Sequence, residues 1–125
     1  MARYGVTLIR VVVGAVYLMH AYLALGIFGP SGMIAYQVKN GIPFPEVATW
    51  YLILAHGLGG ICLILGIFTR LAALANVPVM LGAIVFVHLK SGFWVHQGGY
   101  EYALVLLLAS VGLAMTGGGA LSLKR

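Results

Sequence analysis

Acidic residues are almost missing from this chain, whose 125 residues include Glu46 and Glu101 as the only carboxylate side chains. Charged residues make up 7% of the sequence and hydrophobic residues 62%, whereas a soluble domain carries about 25% charged residues. The mean hydropathy is +1.07. A soluble domain of this size has too much exterior for its volume to bury so much apolar surface. The sequence therefore predicts an integral membrane protein that contacts the lipid bilayer.

Other scarcities exclude whole classes of function. The single cysteine, Cys62, can form no internal disulfide. The basic residues are scattered without a long run although the net charge is +5, so nucleic-acid binding is not expected. The sequence contains no Gly-x-Ser-x-Gly, no phosphate-binding glycine loop and no Cys-x-x-Cys, and its carboxylates are too few for a paired acid and base. Any chemistry must therefore come from a bound cofactor.

Long apolar segments dominate what is present. About 20 apolar residues cross the hydrocarbon as a helix, and four segments approach that length. The predicted spans lie near residues 5–28, 46–67, 71–89 and 100–116. Only Phe68, Thr69 and Arg70 separate the second span from the third, so these two helices are expected to be antiparallel neighbours. The predicted fold is all-α, a single transmembrane domain over residues 1–125 that forms a four-helix up-down-up-down bundle.

The basic residues also predict the orientation of this bundle, because cytoplasmic segments retain lysine and arginine. Both termini are expected to be cytoplasmic. The residues that decide this are Arg3, Arg70, Lys124 and Arg125. The long link between the first two spans then lies outside, where Gly29-Pro30 and the cluster 43–45 break helices on either side of Met33–Val38. That stretch is expected to form a short interfacial turn.

Two histidines lie deep inside apolar segments. Counted at 1.5 Å per residue, His20 lies about 12 Å below the outer end of its helix and His56 about 15 Å below the start of the next. An ionisable group at membrane depth costs on the order of several kcal/mol unless it is paired, so a function is the default hypothesis. Two imidazoles at equal depth could ligate one metal centre, such as a haem iron or a chlorin magnesium, or bracket a quinone head group. The alternative is that each bonds a carbonyl or hydroxyl group across the bundle.

Further candidates lie near the outer ends of the third and fourth spans. His88, His96 and Glu101 could meet there, and a carboxylate beside an imidazole would fix its tautomer and raise its basicity. The alternative is that all three are merely solvated at the level of the lipid headgroups. His96, in the loop between the other two, is expected to be solvated in this way. We expect His88 and Glu101 to join a shared outer pocket.

Arg10 has two competing interpretations. It lies about five residues into the first span, shallow enough to extend toward cytoplasmic headgroups. Alternatively it points inward, since it shares nearly one helix face with Gly14 and Tyr17, and holds an anionic or carbonyl group. On that second interpretation Arg10 and Tyr17 are further candidates for binding a cofactor.

The order and spacing of several short motifs resemble the DoxX family over almost the whole chain. These motifs are Leu8-Ile9-Arg10 with Gly14, His20, Gly59-Gly60, Leu65-Gly66, Thr69–Leu74, His88, Gly92-Phe93, Gly99-Tyr100-Glu101 and the glycine-rich tail Gly117–Leu123. Two positions depart from the family pattern. His56 stands where the family usually has a glutamate, and His20-Ala21 replaces the family's His-Gly and lacks the lysine that follows it.

The resemblance implies a four-helix bundle in the prokaryotic cytoplasmic (inner) membrane. Family members are often subunits of redox complexes, and relatives include small partners in thiosulfate:quinone oxidoreduction. We therefore expect a redox-associated membrane subunit, not necessarily catalytic itself, with a quinone-type pocket in the outer half of the bundle. The residues expected at this pocket are His20, His56, His88 and Glu101, with Tyr17 and Arg10 as further candidates.

Two alternatives remain open. One is an accessory structural subunit that packs against a larger membrane complex and has no chemistry of its own. The other is a protein in which His20 and His56 ligate the metal of a haem or chlorin. The sequence leaves open whether the partners are other membrane subunits or further copies of this chain.

Overall fold

The chain is described over residues 1–123 by a computed structural model, in which those residues form helices and no strand. The expected all-α fold is thus confirmed. The α-helices are α1 (Ala2–Tyr22), α2 (Gly29–Lys39), α3 (Pro45–Leu65), α4 (Thr69–Gly82) and α5 (Glu101–Thr116). Two of them are extended by wider π-helical turns, α1 through Leu23–Ile27 and α4 through Ala83–His88. Short 3-10 turns follow at Leu89–Ser91 and Val95–Gln97.

Three of these helices are long and apolar enough to cross a membrane. With their extensions they cover Ala2–Ile27, Pro45–Leu65 and Thr69–Ser91, and they correspond to the first three predicted spans. Helix α5 corresponds to the fourth predicted span and is apolar but shorter, at 16 residues. The main apolar core forms where α1, α3, α4 and α5 pack together, around Tyr17, Leu63, Ala73 and Leu106.

The link between the first two long helices is more ordered than expected. The predicted interfacial turn at 33–38 is part of the helix α2, whose first turn contains Pro30. A proline suits this position because its fixed φ angle matches the helix and its missing N–H would have no helical partner. Helix α2 packs against α3, where its Met33 joins Ala24 and Ile53 in a small apolar cluster. The link therefore folds back over the helices instead of extending away from them.

A close glycine contact brings α1 against α3. A Cβ atom added to Gly14 would lie 2.7 Å from the carbonyl oxygen of Gly60, and one added to Gly60 would lie 2.8 Å from that of Gly14. Small residues let two helix backbones approach in this way. Because Tyr17 and His20 follow Gly14 on α1, and His56 precedes Gly60 on α3, the contact holds these three side chains in one region.

The C-terminal tail, residues 117–123, folds back onto the bundle. The backbone N–H of Ala120 donates to the carbonyl oxygen of Arg3 at 3.1 Å, and that of Leu123 donates to Leu65 at 3.2 Å. The tail and the first turn of α1 therefore lie at the same end of the molecule, which we call the tail end. The other two basic residues used to predict orientation, Lys124 and Arg125, lie outside the described residues.

Candidate functional site

A cavity of about 810 Å³ lies at the end of the helices opposite the tail end. It is bounded by α1 and its extension, α2, α3, α4 and its extension, and α5. Most of the side chains that line it are apolar. The polar or ionisable exceptions include His20, Gln37, His56, His88 and Tyr102. Cavities of about 300–1,000 Å³ with an apolar lining and a few polar groups are the usual binding sites for small molecules.

Both π-helical turns contribute to this cavity. Leu23 and Ala24 line it from the extension of α1, and Phe86 and His88 line it from the extension of α4. The turns belong to different helices and yet border the same space. Wider turns of this kind occur frequently at functional sites, so their convergence supports the cavity as the functional region.

The two deep histidines lie next to each other. The ring centroids of His20 and His56 are 6.3 Å apart, and the rings are tilted by 59°. The ring of Tyr102 lies 6.1 Å from that of His20 on another side. His20 is half-buried and forms no hydrogen bond to another residue within 1–123. The proximity that equal depths predicted is therefore present, whereas the role of these residues as ligands stays a prediction.

Asn76 fixes the orientation of the His56 ring. The Nδ1 atom of His56 lies 2.6 Å from Oδ1 of Asn76. The amide nitrogen of Asn76 donates to the carbonyl oxygens of Ala55 and Ala72, at 2.9 and 3.0 Å. Because both carbonyls can only accept, the amide oxygen must face His56, and Nδ1 of His56 must carry the hydrogen. The other ring nitrogen, Nε2, has no hydrogen-bond partner among the described residues.

Tyr17 packs against the His56 ring and helps to hold it in place. Its ring stacks on His56 with a centroid distance of 4.7 Å and an interplanar angle of 16°. Its hydroxyl group lies 2.5 Å from Oγ of Ser110 and donates to the carbonyl oxygen of Leu106 at 3.3 Å. Tyr17 is completely buried and does not line the cavity. The structure therefore places this candidate beneath His56, where it connects α1 to α5.

His88 and Glu101 are not joined. His88 lines the cavity and donates from Nδ1 to the carbonyl oxygen of Gly98 at 2.8 Å. Glu101 accepts a hydrogen bond from the backbone N–H of Val95 at 3.0 Å and does not line the cavity. His96 is exposed in the loop. Within residues 1–123 no group of three histidine, cysteine or acidic side chains is arranged to hold a metal ion.

Arg10 lies at the tail end and not in the cavity, although it is only 1% exposed. Its Nη1 atom donates to the carbonyl oxygen of Gly118 at 2.7 Å and to Oγ of Ser122 at 2.6 Å. Its Nη2 atom donates to the carbonyl oxygen of Leu121 at 3.1 Å. Arg10 therefore points inward and does not extend toward the headgroups, and the carbonyl groups that it holds belong to the chain's own tail.

Three residues that line the cavity or orient a lining residue were not predicted as site residues from the sequence. Asn76 carried a usable signal, since it and His56 both lie between about two and three helical turns from the short link between α3 and α4. Gln37 carried none, because helix-breaking residues flank its segment. Tyr102 lies near the start of α5, where an aromatic residue is common at a membrane interface, so its position on the cavity wall was not recognisable.

Comparison with known proteins gives a consistent result. A model of the DoxX family matches residues 5–89, which include most of α1, all of α2 to α4 and the histidines His20, His56 and His88. A protein of Bacillus subtilis (strain 168) named "Putative oxidoreductase CatD" is 30% identical over 119 residues, which cover 95% of this chain and 84% of the relative. No solved structure gives a significant match. The chain therefore belongs to the DoxX family.

Proposed function

We propose that this chain is a membrane subunit of a redox-associated complex and that its cavity binds a quinone-type carrier. The observation that carries this proposal is an apolar cavity of about 810 Å³ with two imidazole rings side by side on its wall. A quinone head group is a flat, largely apolar ring with polar oxygens, so it suits an apolar cavity with a few polar groups. The oxidoreductase name of the B. subtilis relative agrees with this class.

The topology that goes with this function is a four-helix up-down-up-down bundle with both termini in the cytoplasm, in the inner membrane of a prokaryote. The tail end carries Arg3 and Arg70, whereas Glu46 and Glu101 begin helices at the other end, in agreement with the retention of positive charge on the cytoplasmic side. Helix α5 packs against α4 and α1. Its 16 residues span about 24 Å, so in this proposal it crosses a bilayer that is locally thinner around it.

The chain's own residues bind and orient the head group in this proposal. His56 presents Nε2, held in place by Asn76 and Tyr17, and His20 and Tyr102 offer further polar atoms beside it. The apolar walls exclude water from the ring. The bound carrier supplies the exchange of electrons and protons, which no residue of this chain performs alone.

Titration of a decyl-substituted benzoquinone into the protein in lipid nanodiscs tests the proposal. His20→Ala and His56→Ala should each weaken binding about tenfold, the equivalent of about one hydrogen bond. His96→Ala is the matched control, since it removes an exposed imidazole outside the cavity, and it should leave the affinity unchanged. Equal affinity in the wild type and a His20→Ala, His56→Ala double variant would rule out the proposed pocket.

The ring separation of 6.3 Å and the free Nε2 atom of His56 also favour a second function, ligation of one haem or chlorin metal between His20 and His56. An absorption spectrum of protein purified without added ligand distinguishes this function from the first. A Soret or chlorin band that His56→Ala abolishes would support metal ligation, and a featureless visible spectrum would exclude it.

The third function is that of an accessory subunit, with other membrane proteins or further copies of this chain as partners. Large apolar side chains on several helices are exposed, among them Leu58, Leu74, Val105 and Leu108, and they contact either lipid or a partner. Copurification from native membranes in a mild detergent tests this. A stable isolated protein that binds a quinone would contradict a purely packing role.

A further inference from the structure

We infer that the cavity selects the reduced, hydroxyl-bearing form of its ligand, a quinol, over the oxidised quinone. The inference rests on the proposed function and specifies the chemical form that the same cavity takes. The feature that carries it is the hydrogen-bond polarity of His56, which Asn76 sets from outside the cavity.

The backbone carbonyl groups near Asn76 determine which way its amide group faces. Its amide group makes three contacts, two from the nitrogen to the carbonyl oxygens of Ala55 and Ala72 and one from the oxygen to Nδ1 of His56. Turning the amide over would direct its oxygen at two carbonyl oxygens and lose both bonds. Asn76 is completely buried, so water cannot compensate for that loss. The amide oxygen is therefore held as an acceptor toward His56.

The second step concerns the charge of the ring. His56 is 6% exposed, and a buried cation is costly unless a carboxylate pairs with it. Neither carboxylate side chain forms an ion pair with His56 within residues 1–123. Glu46 precedes His56 on α3 by about 15 Å, and Glu101 bonds Val95 in the loop before α5. With a neutral ring and a hydrogen on Nδ1, the Nε2 atom carries a lone pair and can only accept a hydrogen bond.

This lone pair is accessible to a ligand. Within residues 1–123 the side-chain polar atoms that are both sealed from solvent and without a partner are Nε of Arg10, Oγ1 of Thr49 and Oγ1 of Thr69. The Nε2 atom of His56 is not among them, and it has no protein partner. Since one face of the ring is covered by Tyr17 and Nδ1 is bound to Asn76, the open part of the ring faces the cavity that His56 lines.

A lone pair at this point discriminates between the two forms of a carrier. A quinol donates its hydroxyl hydrogen to Nε2, whereas a quinone presents a carbonyl oxygen whose lone pairs repel it. Three other polar groups of the cavity do not discriminate, because the amide of Gln37, the hydroxyl of Tyr102 and the imidazole of His20 can each donate or accept. Asn76 thus acts as a positioning residue, since it sets the preference without lining the cavity.

The test compares three probes that share one side chain: a decyl benzoquinone, its quinol kept under anaerobic conditions, and the dimethyl ether of that quinol. The wild-type protein in nanodiscs should bind the quinol about tenfold more tightly than the quinone, and the ether no more tightly than the quinone. His56→Leu should bring the quinol-to-quinone affinity ratio close to one. His96→Leu, which changes an exposed imidazole outside the cavity, should retain it.

Asn76→Leu tests the positioning role. Without the amide oxygen the hydrogen of His56 can move to either nitrogen, so the affinity ratio should fall toward one while both forms still bind. Leu63→Ala is the control for lost stability, because Leu63 is completely buried in the core and does not line the cavity. That variant should be less stable and yet keep the wild-type ratio in its folded fraction.

Two outcomes overturn the inference in different ways. If both forms bind to the wild type with equal affinity, or the quinone binds more tightly, the selectivity is wrong and the proposed function stands. If neither form binds, the proposed function fails and this inference fails with it.

Discussion

The two ends of the molecule differ in how far the chain satisfies Arg10 at one end and the deep histidines at the other. At the tail end Arg10 directs its guanidinium to carbonyl and hydroxyl groups of residues 118–122, so the chain itself satisfies most of it. At the cavity end His20 and Nε2 of His56 have no hydrogen-bond partner within residues 1–123. Buried polar groups are ordinarily paired, and ionisable groups at membrane depth are costly. The contrast gives Arg10 a structural role and supports the proposal that the cavity binds a ligand.

The packing of the helices also differs between the tail end and the cavity end. Near the tail end α1 and α3 are in close backbone contact through Gly14 and Gly60, whereas at the cavity end α1 and α4 widen into the π-helical turns Leu23–Ile27 and Ala83–His88. Tight packing at one end holds the helices together while the other end stays open enough for a small molecule. The comparison predicts that substitutions at the tail end alter stability, that substitutions at the cavity end alter binding, and that the crossing of α1 and α3, which also positions His20 and His56, affects both.

The largest effect is expected at Arg10. Arg10→Gln removes charge-assisted hydrogen bonds to Gly118, Leu121 and Ser122 and should lower the free energy of unfolding by about 3 kcal/mol. Denaturant titration in mixed micelles measures this loss. Arg3→Gln, at the start of α1, should change the free energy of unfolding by less than about 0.5 kcal/mol. If the folded Arg10→Gln protein lost its affinity for the quinol, the division between a structural end and a binding end would be wrong.

A smaller effect on stability, joined to an effect on binding, is expected at the helix crossing. Gly60→Ala places a Cβ atom 2.8 Å from the carbonyl oxygen of Gly14 and 2.9 Å from the backbone nitrogen of Leu18, so α1 and α3 must separate. We expect the free energy of unfolding to fall by about 2 kcal/mol. Quinol binding should also weaken, because His20 and His56 move apart.

Gly112→Ala is the matched control for the crossing. A Cβ atom added to Gly112 would contact nothing within 4 Å. Because alanine loses less backbone freedom than glycine when a helix folds, Gly112→Ala should raise the free energy of unfolding by about 0.5–1 kcal/mol. Equal behaviour of Gly60→Ala and Gly112→Ala in unfolding measurements would contradict a tight crossing.

The smallest effect is expected at Tyr17. Tyr17→Phe keeps the ring that stacks on His56 but removes the hydroxyl that bonds Ser110 and Leu106, so stability should fall by about 1 kcal/mol. Quinol affinity should stay within about twofold, since the hydroxyl does not reach the cavity. A tenfold loss of affinity in Tyr17→Phe would instead assign Tyr17 to the binding surface.

Features that follow from the pattern of side chains along the chain were predicted correctly from the sequence. Composition and segment length gave the long apolar helices, and equal depth in neighbouring helices gave the proximity of His20 and His56. The short link at 66–68 also placed α3 beside α4, and the two helices are in contact.

The same reasoning failed where the backbone supplies the partner. The carbonyl groups that hold Arg10 belong to the glycine-rich tail, and backbone groups leave no side-chain signal. Glu101 was expected beside His88, but the loop between them turns so that a backbone N–H, that of Val95, reaches the carboxylate first. Helix α2 was predicted as a short turn because Pro30 was treated as a helix breaker, although a proline in the first turn starts a helix.

The central claim, that the cavity presents Nε2 of His56 as an acceptor for a quinol, is tested most directly by nitrogen NMR of ¹⁵N-histidine-labelled protein in lipid bilayers, with His56 assigned by its loss in His56→Leu. We expect Nδ1 of His56 to be protonated and Nε2 unprotonated, and the Nε2 resonance to shift when the decyl quinol is added. A protonated Nε2, or a resonance that saturating quinol leaves unchanged, would contradict the account.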